Sequence, residues 1–235
     1  LLPVKGQDRL DMLAGTINIC KDIIPRLKKS GFSGIIISIS NPADVIAAYL
    51  QKHLDYPKHK IISSGTALDS ARLQMLLSQK YNISPKSLQA YAMGEHGFSS
   101  MIPFSRIMIG GKSLYQLQED MPDRFPPLDE EALNEAVKHQ GYVVLNGKGS
   151  TEFGIATATV ELIRAILHDE KKILPCSVAL DGHYGEDHVY ASTPVILGKD
   201  GVEAIIELPM TDKEQELFHK SCELIRSYMA KAEEI

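Results

Sequence analysis

The sequence predicts an α/β chain: the latter part of a parallel sheet, followed by an α+β region with antiparallel strands. Three observations carry that prediction. GIIISISNP (34–42) is an isoleucine-rich run bounded by Gly34 and Pro42, and it reads as a strand buried on both faces. Helical patterns flank it and KIISSG follows, an order of helix, buried strand, helix and strand that suits a parallel sheet. Near the end, ILPCSVALDG, DHVYASTPVILG and VEAIIELPM are three strands separated by Gly–Asp turns, an antiparallel pattern.

The elements between these come in order. LLPVKGQDR has no initiator methionine and reads as a loop, with Pro3 and Gly6 as breakers. Leu13, Ile17, Ile24 and Leu27 fall on one face of a helix over 10–29. A second helix spans 42–54. LDSARLQMLLSQKY is helical, LQAYAM is a short strand, and MIPFSRIMIGGKSL resembles a strand and turn. MPDRFPPLDE (121–130) is a proline-rich surface connection. EEALNEAVKHQGYVVLNGK is a long helix ending near Gly147, and a further helix covers 151–169. The last helix opens at Thr211 with Glu214 in a capping box.

Composition narrows the function classes. With 235 residues, 44% hydrophobic and 23% charged, the chain is globular, one large domain or two small ones. A net charge of −5 and no basic run argue against nucleic acid or an anionic membrane as partner. Cys20, Cys176 and Cys222 have no CxxC spacing, which suits a reducing compartment and argues against a cysteine-rich zinc site. No apolar run reaches the ~18 residues of a membrane span. The expected setting is cytoplasmic. His183 and His188 lie in a turn without metal-site spacing, so no metal is expected.

The chemistry centres on MGEHGFSS (93–100), where His96 sits between Gly94 and Gly97. Glycine allows close approach, and histidine can give or take a proton near neutrality. Alone, the stretch reads first as an ordinary loop and only second as an acid/base site. In LDSAR (68–72), Asp69 and Arg72 share a helix face. Asp69 also suits the helix dipole, and Arg72 alone suits a solvated surface. Together with His96 they gain a sharper meaning. An aspartate fixes the imidazole tautomer, and an arginine grips a carboxylate through two bonds. Arg9, in the opening loop, could swing over a bound substrate or be a mobile surface charge. Asn41 ends a strand where α/β sheets bind ligands, although Asn–Pro is also a turn initiator.

SISNPADV, SSGTALDSAR, MGEHGFSS and GKGSTEFGIATA, in this order and spacing, resemble the L-lactate dehydrogenase family, which includes L-2-hydroxyisocaproate dehydrogenases and is related to malate dehydrogenases. The resemblance runs from Arg9 to the last helix. It implies a Rossmann-type NAD-binding part over 1–64 and a substrate domain over 65–235, with helix 151–169 packing back on the former. It implies that His96 is the proton donor and acceptor, Asp69 its partner, and Arg72 the grip on the substrate carboxylate. Arg9 would polarise the reacting carbonyl. Asn41 would lie near nicotinamide and substrate, Ser40 and Ser64 would line the nicotinamide, and Thr151 would head the helix that closes the pocket. The implied reaction is reversible hydride transfer between NADH and a 2-oxo acid by a homotetramer or dimer.

The sequence departs from the family in one large respect. The GxGxxG loop that begins it is not in this sequence; GGKS (110–113) would need glycine where Arg106 stands, and GKGS (147–150) where Tyr142 stands. A polypeptide of these residues alone is expected to bind NAD poorly, and an inactive structural or oligomer-forming fragment is the different-class alternative. Pro3, among Leu1, Leu2 and Val4, stands where a malate enzyme would carry an arginine, so a neutral substrate side chain is expected; Lys5 keeps malate dehydrogenase as the alternative. Gln74 and Gln89 stand where some relatives bind fructose 1,6-bisphosphate, so no activation by it is expected. A Ser-His-Asp hydrolase using Ser99 or Ser100 lacks a GxSxG elbow.

Overall fold

A computed structural model describes residues 12–235. Helix α1 (Leu13–Ser30) turns Ile17, Cys20 and Ile24 inward. Strand β1 (Ile36–Ser38) runs parallel to β2 (Ile61–Ser63), with α2 (Ala43–Leu54) as the connection between them. Every α2 residue from Ala43 to Leu50 is buried, as expected of a helix apolar nearly all round.

Helix α3 (Ala67–Tyr81) leads into a small three-stranded antiparallel sheet, β3 (Leu88–Gln89), β4 (Met108–Ile109) and β5 (Lys112–Ser113). Helices α4 (Leu114–Asp120) and α5 (Glu130–Lys148) come next. Their inward residues, Leu114, Leu117, Leu133 and Val137, form an apolar core with Leu73, Leu77 and Tyr81 of α3.

Helix α6 (Phe153–Leu167) packs on α3 and on the C-terminal strands. These are β6 (Lys172–Asp181), β7 (Asp187–Gly198) and β8 (Gly201–Ile205), an antiparallel meander closed by α7 (Asp212–Glu234). Strand β6 also pairs antiparallel with β2 at Ser177 and Ser63. The result is one mixed five-stranded sheet, β1-β2-β6-β7-β8. The expected parallel and antiparallel parts are both present, joined edge to edge.

One local expectation is corrected. The 34–40 run is not buried on both faces: β1 spans three residues, Ile36 and Ile37 are half-buried, and Ile39 is 53% exposed. Among the described residues β1 pairs only with β2, so one side of it has no strand against it. The strand and turn expected over 101–114 are present but short: after a turn of 3-10 helix at 104–106, β4 turns at Gly110 and Gly111 into β5. Helix α4 then begins directly after β5, opened by a capping box between Ser113 and Gln116. Among the described residues no group of three His, Cys, Asp or Glu is placed to hold a metal ion.

Candidate active site

The start of α3 and the 93–100 loop are locked together at one residue. The Thr66 hydroxyl donates to the Ala92 carbonyl at 2.6 Å, and the Ala92 N–H donates to Ser70 Oγ at 2.9 Å. Helix α3 then carries Asp69 in its first turn and Arg72 one turn on. Arg72 Nη1 donates to Asp69 Oδ1 at 3.0 Å, and His96 Nδ1 meets Asp69 Oδ2 at 2.6 Å. The side chains of all three residues are largely buried. Because a carboxylate only accepts, the proton of this bond belongs to Nδ1, and Nε2 is the nitrogen left to exchange a proton with a ligand.

The two glycines that flank this histidine have separate physical reasons. Gly94 has φ +83°, and a Cβ there would meet Ser221 Oγ at 2.5 Å. A Cβ at Gly97 would meet the Glu95 carboxylate at 2.3 Å. That carboxylate, 3% exposed, folds the loop on itself by accepting the Ser99 N–H at 3.0 Å. The loop is further pinned by backbone pairing of Met93 with Met101 and Gly94 with Ser192, and by the Glu95 N–H on Ser221 Oγ. The Ser99 hydroxyl donates to Glu95 and lies against Ser221, engagements that draw it away from a nucleophile's role beside His96.

His96 and Arg72 open onto a cleft of about 620 Å³. Its opposite wall is the end of β1 with Ser38, Ile39, Ser40 and Asn41, together with Ser64 beyond β2. Gly141, Tyr142 and Leu145 of α5 and Thr151, Glu152 and Ile155 around the start of α6 close it. Asn41 is anchored through its carbonyl, which accepts the Thr16 hydroxyl at 2.7 Å; Ser64 is buried, while Ser40 and Thr151 are exposed at the rim. Glu152 holds Lys148 and Ser150 across the junction between the two helices. Small hydroxyls and an amide facing an imidazole across an apolar-walled cleft fit a flat ring bearing a carboxamide. The cleft thus brings together His96, Asp69, Arg72, Asn41, Ser40, Ser64 and Thr151, or borders them. Arg9 lies outside the described residues.

Residues 66–235 match the family model for the lactate/malate dehydrogenase α/β C-terminal domain, and residues 3–63 match that for the lactate/malate dehydrogenase NAD-binding domain. The chain belongs to the lactate/malate dehydrogenase family. Its relatives place it on the L-lactate branch. It is 36% identical over 225 residues to an L-lactate dehydrogenase of Fusobacterium nucleatum, covering 96% of this chain and 71% of that protein. An L-lactate dehydrogenase of Mycoplasma mycoides is 40% identical over 220 residues, covering 94% and 69%. The crystal structure of a minor L-lactate dehydrogenase from Enterococcus mundtii, in a ligands-bound form, superposes with a TM-score of 0.92 at 31% identity, over 98% of this chain and 73% of that one. Membership makes the chain an NAD-dependent oxidoreductase of 2-hydroxy acids, of the L-lactate type, with malate dehydrogenase the less supported reading.

The sequence reading missed Asp44, Glu95, Ser221 and Tyr142. Asp44 carried a signal, a single carboxylate inside the apolar stretch Ala43–Leu50. Ser221 carried none, because its part depends on α7 reaching a loop more than a hundred residues earlier.

Proposed function

We propose that the chain carries the acid/base and substrate-binding part of an L-2-hydroxy acid dehydrogenase, with His96 as the proton donor and acceptor. The observation behind this is the chain of bonds from Arg72 through Asp69 to His96 Nδ1 at the mouth of the cleft. A bound nicotinamide would supply the hydride. Asn41, Ser40 and Ser64 are the residues proposed to lie along its ring. His96, as the imidazolium, donates its Nε2 proton to the substrate oxygen as that oxygen gains charge. Asp69 stabilises the charged ring and holds its orientation. Arg72, anchored on Asp69, grips the substrate carboxylate and so sets the keto carbon near His96. In the reverse direction neutral His96 takes the hydroxyl proton. Thr151 is assigned to the far wall of the substrate pocket, and Arg9, on sequence alone, to polarising the carbonyl. The division at 64/65 is proposed as the line between the nicotinamide side and the substrate side.

The proposed substrate has an uncharged side chain, since the described walls around Leu68, Leu145 and Ile155 are apolar. Self-association as a dimer or tetramer is also proposed. Phe153, Val160 and Leu167 recur every seven residues on α6 and are 77%, 52% and 75% exposed, an apolar face of the kind that pairs with another chain. The three cysteines are free and buried, in keeping with the proposed cytoplasmic setting. No described helix is long and apolar enough to cross a membrane.

The test is NADH oxidation by the full-length enzyme with pyruvate, 2-oxoisocaproate and oxaloacetate. Pyruvate or 2-oxoisocaproate should be favoured, and His96→Gln should lower kcat by roughly a hundred-fold or more. Preference for oxaloacetate overturns the neutral-side-chain reading, and a fully active His96→Gln enzyme overturns the acid/base assignment.

A further inference from the structure

Between Ala43 and Leu50 every α2 side chain is buried, and Asp44, 2% exposed, is the one carboxylate among aliphatic and aromatic groups. A carboxylate in such a place is costly unless its oxygens are paired. Only one of them is. Oδ2 accepts the main-chain N–H of His96 at 2.8 Å, and Oδ1 has no hydrogen-bond partner. The Ser177 hydroxyl on β6 approaches and favours the ionised form, but it makes no hydrogen bond of good geometry and is itself unpartnered.

The single bond that Asp44 makes falls on the residue that carries the chemistry. The other pins of the loop act at Met93, Gly94, Glu95 and Ser99. None of them holds His96's own backbone. Asp69 fixes one ring nitrogen from α3, yet a ring held at one atom can still pivot if its Cα moves. We propose that Asp44 is a positioning residue for His96: it holds the amide from α2 while Asp69 holds Nδ1 from α3, and the two together set where Nε2 points. Displacing a reacting group by about 1 Å can cost a hundred-fold in rate, so a single amide contact is enough to matter. Substrate binding through Arg72 does not pass through this contact, so its loss falls on kcat rather than KM.

The inference rests on the acid/base reading of His96, and the experiment separates the two. In the full-length enzyme, Asp44→Ala, Asp44→Ser, Asp44→Asn and His96→Gln are compared with the parent for kcat, KM for the 2-oxo acid, and thermal midpoint. Asp44→Ala should lower kcat roughly ten- to hundred-fold with KM within about three-fold. Asp44→Ser, whose hydroxyl is one bond short of the amide, should do the same and replaces alanine if that variant does not fold. Asp44→Asn keeps an acceptor for the His96 amide and offers its NH2 to Ser177 Oγ, so kcat should return to within about three-fold of the parent. An active His96→Gln enzyme defeats the underlying reading. With His96→Gln impaired, the positioning role is overturned if folded Asp44→Ala or Asp44→Ser keeps its kcat, if the loss is in KM, or if Asp44→Asn is as slow as alanine.

Discussion

Asp69 serves two side chains with one carboxylate, Arg72 on Oδ1 and His96 on Oδ2, so a change at any of the three is felt by the others. Arg72→Lys keeps the charge but loses the planar fork proposed to grip the substrate carboxylate. At about 1.5–3 kcal/mol for a charge-assisted hydrogen bond, KM for the 2-oxo acid should rise roughly ten- to hundred-fold, with a smaller change in kcat. Steady-state kinetics checks this, and an unchanged KM would place the carboxylate elsewhere. Asp44 offers a second prediction, about stability. Burial pushes its carboxyl from the ordinary 3.8 up to about 6. Ser177, the His96 amide and the His96 charge pull it down, and Glu95 adds to the rise. The Cys222 thiol on α7 feels the same charge. A raised carboxyl binds its proton more tightly in the folded state, so its contribution is greatest in acid and is lost as pH climbs from about 4 through 6. The difference corresponds to about 3 kcal/mol. Asp44→Asn should therefore unfold at higher denaturant than the parent at pH 7, with the gap closing toward pH 4. Equal midpoints at both pH values would show that Asp44 ionises without cost.

At the scale of elements, α7 shows how local chemistry and tertiary contact meet. Its capping box joins Thr211 and Glu214, and the Glu214 carboxylate also accepts the Ser105 N–H at 2.9 Å and hydroxyl at 2.7 Å. Burial works against ionising Glu214, but these bonds from Ser105 and Thr211 outweigh it and hold the carboxyl below its usual range. Thr211→Ala should cost about 1 kcal/mol of unfolding free energy. Glu214→Ala removes the loop contact as well and should cost more, by urea titration; equal losses would mean that the Ser105 contact contributes nothing. The Thr211–Glu214 box was legible in the sequence, as were the long helices and the β6–β7–β8 meander, because their signals lie within a few residues. Helix α4 was not read, although Ser113 and Gln116 carry the same box pattern: seven residues give too little periodicity to separate it from a turn. The burial of 34–40 was misjudged for another reason. An isoleucine run reports what a strand prefers, not whether a neighbour covers it. In the site, His96, Asp69 and Arg72 could be named from motifs. The hold of Asp44 on the His96 amide, and of Ser221 on Glu95, exist only once separate elements have packed.

Across the whole molecule two apolar cores meet at the site. One joins Ile17, Ile46 and Ile62 with Leu162, Val178, Leu197 and Phe218, so the sheet binds both family-matched segments into a single body of packing. The other holds α3, α4 and α5 together through Leu73, Leu77, Leu114 and Val137. Asp69 and Arg72 sit at the start of α3, where the second core meets the first. The walls of the cleft are therefore unequally held. Asp69 and His96 are tied to buried elements, whereas α5 buries only Leu133, Val137 and Gly141 in its 19 residues. Its far half, with Tyr142 and Leu145 on the cleft, contacts the 93–100 loop through a stack of Tyr142 on Phe98, with centroids 5.8 Å apart and planes at 13°. Such a segment opens locally at low free energy, whereas strands inside the sheet exchange their amides only when the whole structure unfolds. Hydrogen exchange on the full-length enzyme should thus show weak protection over 141–148 and near-global protection over β6 and β7. Because Tyr142 faces the cleft, binding of NADH with an unreactive 2-oxo acid mimic should slow exchange over 141–148 far more than over β7. Phe98→Ala, which removes the stack but none of the buried core, should raise exchange in the same segment without shifting that of β7. Protection over 141–148 equal to that of β7, or unchanged by ligand, would show that this wall is as rigid as the sheet and that the cleft does not close through α5.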